Sequence, residues 1–230
     1  IEMVPFNDLN SLELKFIKNK NIVAYMLEPI QGEAGVIIPD YSYLKKVKKL
    51  CKKYNILMIA DEVQTGLGRT GKLFAFEFYN VKPDILLLGK SLGGGFPIGA
   101  MITNKKYMRL FQNNPVLGHI TTFGGHPVIA AAGYETLSIT LKKNLHHKSL
   151  IKGKLFTNLL IHPKIREVRG RGLMLALILK DEETAQKLVW NSLNEGLILF
   201  WLLYEKRAVR ITPPLTISKS EIMRGCKIIL

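Results

Sequence analysis

The stretch "ILMIADEVQTG", Ile56–Gly66, decides the fold. Apolar residues run without a polar break into two adjacent acids, Asp61 and Glu62. A short apolar run with no alternation reads as a strand buried on both faces, and such strands belong to parallel sheets covered by helices. The flanking sequence agrees. Upstream, "NIVAYMLEP" reads as a strand ended by Glu28 and Pro29. Between the two, Tyr41–Tyr54 carries Leu44, Val47, Leu50, Cys51 and Tyr54 at helical spacing, with lysines on the other face. Downstream, "PDILLLGK", Pro83–Lys90, is a second unbroken apolar run. "GGGFPIGAMIT" then reads as a Gly-rich turn and one more strand. Strands alternating with helices predict an α/β layered domain with a mainly parallel sheet.

The second half has a different character. A long helix is expected from Pro127 to about Leu145. Beyond it, "HPKIREVRGRGLMLALIL" and "GLILFWLLYEKRAVRITPP" each read as a strand. "KDEETAQKLVWNSLNE" reads as a helix between them, closed by Gly196. A final helix ends the chain. This order predicts a small α+β domain over residues 146–230, after a large-domain portion over residues 1–145 that includes the interdomain helix.

Composition narrows the classes. The chain has 230 residues, 47% of them hydrophobic, enough for one large core or two smaller ones. Its net charge of +15 invites a nucleic-acid reading. The densest basic segment, "YLKKVKKLCKKYN", is an amphipathic helix whose lysines face solvent, so no nucleic-acid partner is expected. The longest apolar run, "LILFWLL" at Leu197–Leu203, is far shorter than the ~18 residues that span a bilayer, and is expected to be a buried strand rather than a membrane segment. Cys51 and Cys226 stand apart with no CxxC spacing, which predicts neither a disulfide framework nor a metal site, and fits a reducing, cytoplasmic setting. The first residue is Ile1 and no signal-peptide pattern follows, so the sequence reads as a piece of a longer chain.

Ligands of open α/β sheets bind at the carboxyl ends of the parallel strands. Three strand ends here carry ionisable groups: Glu28, Asp61 with Glu62, and Lys90. A lysine and a carboxylate at neighbouring strand ends suit pyridoxal phosphate. The amine condenses with the aldehyde, and the carboxylate keeps the pyridine nitrogen protonated. The plain alternative is a surface lysine and a helix-capping aspartate.

The surrounding residues bear on that choice. "MIADEVQTGLGRTGKLFAFEFYNVKPDILLLGKSLGGGFPIGAM" resembles the central signature of class III (ω-amino acid) aminotransferases, enzymes of the fold type I pyridoxal phosphate-dependent class. The resemblance extends through "EPIQGEAGV", "TTFGGHPV", "EVRGRGLMLAL" and "VRITPPL", in the family's order. It implies that Lys90 forms the aldimine with pyridoxal 5′-phosphate and moves a proton between the substrate and the cofactor C4′. It implies further that Asp61 pairs with the ring nitrogen, Val63 packs on the ring, and Gln64 bonds the phenolic oxygen. Thr122 would reach the cofactor phosphate of the partner in a homodimer with a shared active site. Arg210 would take the α-carboxylate of glutamate or 2-oxoglutarate in a bidentate pair. Glu33 would mask Arg210 when the ω-amine substrate is bound, and Glu28 would lie behind the cofactor. Glu62 would stabilise the local turn. His119 and His126 would be loop histidines, the latter where the family usually has Asn, and His146 with His147 an exposed helix end.

The implied reaction moves the terminal amine of N-acetylornithine or ornithine to 2-oxoglutarate, as in arginine metabolism. A 4-aminobutyrate or other ω-amino acid substrate, or an inactive remnant, are the alternatives. Family members carry a long segment before "EPIQGE", with a Gly-Ser/Thr loop at a helix N-terminus that cradles the cofactor phosphate. Nothing like it stands before Glu28, so these residues alone are expected to hold the cofactor weakly.

Overall fold

The computed structural model describes residues 1–116 and 118–230. The chain divides into two compact units. The first comprises residues 1–29, 39–64 and 76–138, and the second residues 30–38, 65–75 and 139–230.

In the first unit, α1 (Leu9–Lys18) is capped by Asp8, whose carboxylate accepts the Ser11 N–H at 3.0 Å. β1 (Ala24–Leu27) follows, then α2 (Tyr43–Lys53), which buries Tyr43, Leu44, Val47 and Cys51 and turns its lysines outward. β2 (Leu57–Asp61), β3 (Ile85–Gly89) and β4 (Gly99–Thr103) complete a four-stranded sheet in the order β1-β2-β3-β4. β1, β2 and β3 are parallel and β4 runs antiparallel to β3. A short α3 (Lys105–Met108) comes next. The core of this unit gathers Leu12, Phe16, Leu27, Tyr43, Val47 and Met58. β4 is less covered: Met101 and Ile102 are 40% and 49% exposed.

α4 (Pro127–Lys142) ends sooner than its sequence suggests. Asn144 takes a left-handed conformation, φ 51°, and a second helix, α5 (Leu145–Leu159), starts directly after it. Two helices, α1 and α5, add to those expected from the sequence. His146 is not at an exposed end: it is half-buried at the start of α5, while His147 is exposed.

The second unit holds β5 (Ile165–Arg171), β6 (Met174–Leu179), α6 (Glu182–Asn194), β7 (Phe200–Trp201), β8 (Ala208–Ile211) and α7 (Lys219–Ile229). Its sheet is antiparallel, in the order β5-β6-β8-β7. All six residues of β6 are buried. Successive side chains of a strand point to opposite faces, and β6 feeds two cores. Leu175, Leu177 and Leu179 pack with Phe156 of α5, Val189 of α6 and Ile222 of α7. Met174, Ala176 and Ile178 pack with Ile30, Val36, Leu202 and Ala208. That second core is why residues 30–38 belong to this unit.

Two strand expectations are corrected. "HPKIREVRGRGLMLALIL" is a hairpin, broken at Gly172 (φ 59°). A Cβ there would lie 2.6 Å from the Thr70 carbonyl carbon, so only glycine fits the turn. "LILFWLL" is not a buried strand. β7 contains two residues at the sheet edge, and Ile198, Phe200 and Leu203 are 79%, 61% and 73% exposed.

Candidate active site

β2 and β3 deliver Asp61 and Lys90 to the same end of the first sheet. In the parallel register Asp61 pairs with Leu87, and β3 runs on to Gly89, immediately before Lys90. The chain leaves the sheet just past Asp61: the Glu62 N–H donates to the Leu87 carbonyl at 3.0 Å. The Asp61 carboxylate accepts the Val63 N–H at 3.0 Å, which tightens the turn and fixes one of its oxygens. Asp61, Val63 and Gln64 are half-buried.

Lys90 has φ 43°, in the left-handed region, and opens a 3-10 turn over Lys90–Gly93. Such a backbone costs on the order of 1–3 kcal/mol for a residue with a side chain, and it persists only where the surroundings impose it. Its effect is to project an exposed amine from the end of a buried strand.

The two acids of the opening stretch behave differently. Glu62 is 1% exposed, and its carboxylate accepts the Phe76 N–H at 2.8 Å. It ties the loop after β2 to the 3-10 turn at Ala75–Tyr79. Thr122, His119 and His126 lie in an exposed loop of the same unit, with the His119 ring edge-on to Phe111 at 5.6 Å. Glu28, half-buried, follows β1.

Glu33 and Arg210 meet in the second unit. Arg210 is the third residue of β8, and Glu33 sits in the loop closed by the Gln31–Ile37 bridge. Arg210 Nη2 donates to Glu33 Oε1 at 2.5 Å. The other carboxylate oxygen of Glu33 accepts the Leu203 N–H at 3.3 Å, and its backbone carbonyl accepts the Tyr204 N–H at 3.1 Å. Arg210 Nε is buried with no hydrogen-bond partner among the described residues. A buried donor in that state is costly unless something supplies an acceptor.

The sequence offers no role for Arg69, within "GLGRTG". The structure does: its Nη1 donates to the Leu173 carbonyl at 3.2 Å and the Pro213 carbonyl at 2.6 Å. Burial lowers its guanidinium to about 10. The only cue in the sequence is a cation set between glycines. Among the described residues no cluster of His, Cys, Asp and Glu could hold a metal ion, and no helix is long and apolar enough to cross a membrane.

Comparison with known proteins gives the frame for these residues. The family model for aminotransferase class-III matches residues 4–230. The chain is 41% identical to an ornithine aminotransferase of Plasmodium yoelii yoelii, over 99% of this chain and 55% of that protein. It is similar to the structure of an ornithine aminotransferase from Toxoplasma gondii with PLP at partial occupancy at its active site (TM-score 0.89, 36% identity, 99% of this chain and 54% of that one). It is also similar to an acetylornithine aminotransferase from Elizabethkingia anophelis (TM-score 0.90, 39% identity, 98% of this chain and 58% of that one). The chain thus spans little more than half the length of these relatives. With the match running over nearly all of its residues, this chain belongs to the class-III aminotransferases.

Proposed function

We propose that this chain carries the lysine, the ring-pairing carboxylate and the carboxylate-binding arginine of a pyridoxal phosphate-dependent ω-aminotransferase. The reaction moves the terminal amine of ornithine or N-acetylornithine to 2-oxoglutarate. The observation that carries this reading is an amine and a carboxylate, Lys90 and Asp61, at the same ends of adjacent parallel strands. The relatives named ornithine and acetylornithine aminotransferase support the substrate class.

The donor set fits the cofactor. Asp61 is a carboxylate with one oxygen already engaged by its own turn, Lys90 is exposed beside it, and Val63 supplies apolar surface. When bound, pyridoxal phosphate supplies an electron-accepting ring and an aldehyde that takes up and returns the amino group. Asp61 would hold the proton on the ring nitrogen. Lys90 would anchor the cofactor and carry the proton to and from the carbon that bears the amine. Gln64 would bond the phenolic oxygen, and Thr122 would reach the phosphate held by the partner in a homodimer.

Arg210 would bind the α-carboxylate of the acceptor through its guanidinium fork. Glu33 would neutralise it when the amine donor occupies the site. The unpartnered Nε of Arg210 supports this, since a carboxylate could take that donor together with one Nη. The test compares the native protein with Lys90→Ala. Loss of the bound cofactor's visible absorbance, and a fall in amino transfer of about 10²-fold or more, is expected. Undiminished transfer with the absorbance retained would sink the reading.

A further inference from the structure

We infer that Arg69 is a positioning residue for Arg210: it clamps the end of the β6–β8 ladder that holds the Arg210 guanidinium. The inference rests on the carboxylate-binding role given to Arg210 above.

The argument starts from the register. Ala176 pairs with Arg210 and Leu175 with Ile211, so the same register brings Leu173 opposite Pro213, two residues beyond the last pair. The ladder cannot continue there. Proline has no N–H to donate, and the Leu173 N–H is taken by the Arg69 carbonyl at 2.9 Å. Two carbonyls, one on each strand, would be left at the point where the strands separate. Arg69 Nη1 bridges both, at 3.2 Å to Leu173 and 2.6 Å to Pro213. The backbone and the side chain of one residue thus close the ladder from both sides.

The clamp is itself seated without freedom. Gly172 packs so closely on Arg69 that an added Cβ would come within 2.7 Å of the Arg69 carbonyl oxygen. The adjoining Gly68 carbonyl accepts the Ser149 hydroxyl of α5 at 2.8 Å. Burying a guanidinium against neutral carbonyls has a desolvation cost, and a simple surface arginine would avoid it. What it secures is the strand end that follows Arg210. A bidentate carboxylate pair tolerates little angular error, and a site displaced by about 1 Å loses much of its effect.

The experiment titrates glutarate, an unreactive dicarboxylate, into the native protein and into Arg69→Met, Arg69→Lys and Arg210→Lys. The absorbance of the cofactor bound at Lys90 is recorded in parallel. Arg69→Met is expected to weaken glutarate binding about tenfold and Arg69→Lys, which keeps a cationic donor but not the planar guanidinium, about threefold. Cofactor absorbance should stay unchanged in both, whereas general loss of fold would lower both signals. Glutarate binding equal to wild type in both Arg69 variants, with Arg210→Lys impaired, overturns the clamp and leaves the proposed function standing. No loss in Arg210→Lys overturns both. If Arg69→Met does not fold, Arg69→Lys decides by hydrogen exchange. Faster exchange at Ile211 with α6 unchanged supports the clamp, and unchanged exchange at Ile211 overturns it.

Discussion

The two sheets cover their strands differently: β6 is an inner strand of its sheet and β4 the last strand of the other. β6 is buried along its whole length and feeds a core on each face. β4 has exposed side chains along most of its length, and large apolar residues that follow it in the same unit are exposed too, among them Leu110, Ile120, Phe123 and Tyr134 at 70–74%. The groups assigned to chemistry follow that division. Arg210 projects from a strand locked between two cores, with its partner Glu33 held by backbone bonds. Lys90 and Asp61 project from strand ends held by a turn, with Lys90 exposed. A buried scaffold suits the carboxylate-reading role proposed for Arg210. An open strand end suits the reach and movement proposed for Lys90.

Core truncation should separate the sheets first. Leu177→Ala, at a fully buried position of β6, should cost about 2–5 kcal/mol in a denaturant titration. Ile102→Ala in β4 should cost no more than about 0.5 kcal/mol. Equal losses would erase the contrast. Next in size, Arg210→Lys should raise the KM for 2-oxoglutarate about tenfold or more while sparing the amine-donor half-reaction, because Lys cannot form the planar fork. Equal damage to both half-reactions would remove Arg210 from the carboxylate role.

Smaller effects test the rim of the second unit. Ser218 and Glu221 form a reciprocal capping box at the start of α7, and Ser218→Ala should lower stability by about 1 kcal/mol. The Ser218 backbone N–H, and then its side chain, hold the Glu221 carboxyl below 4.5. A carboxyl depressed in the folded state adds stability above pH 4.5 and loses it as the pH falls through its lower folded value. The protection of the α7 amides, relative to their intrinsic exchange at each pH, should therefore fall in acid and recover on return to neutral pH. Unchanged protection across that range would leave the box without an electrostatic share.

Much of this was legible beforehand where one local rule sufficed. The unbroken runs at Ile56–Ala60, from Leu57 on, and Ile85–Leu88 lie in parallel strands, and the lysine-faced helix is α2. The α6 helix and its C-terminal glycine could be read directly. The errors fall where a distant partner decides. "LILFWLL" is apolar enough for a core strand, yet its pairing puts it at an edge. The break at Gly172 depends on the close approach of Thr70, remote in sequence. α5 lacks a sharp apolar stripe, and Arg69 bonds carbonyls that no local pattern associates with it. Glu62 could be set apart from Asp61 by resemblance, but its bond to Phe76 comes only from the folded loop.

The alternation in β6 also has a kinetic consequence. The face bearing Met174, Ala176 and Ile178 is completed by Ile30 and Val36, which are synthesised long before it. Those two residues must wait through most of the chain for their partners, so the last core to close joins its remotest parts. Ring closure over such a separation is slow, and Ile30 and Val36 would be among the last to gain protection when the chain refolds.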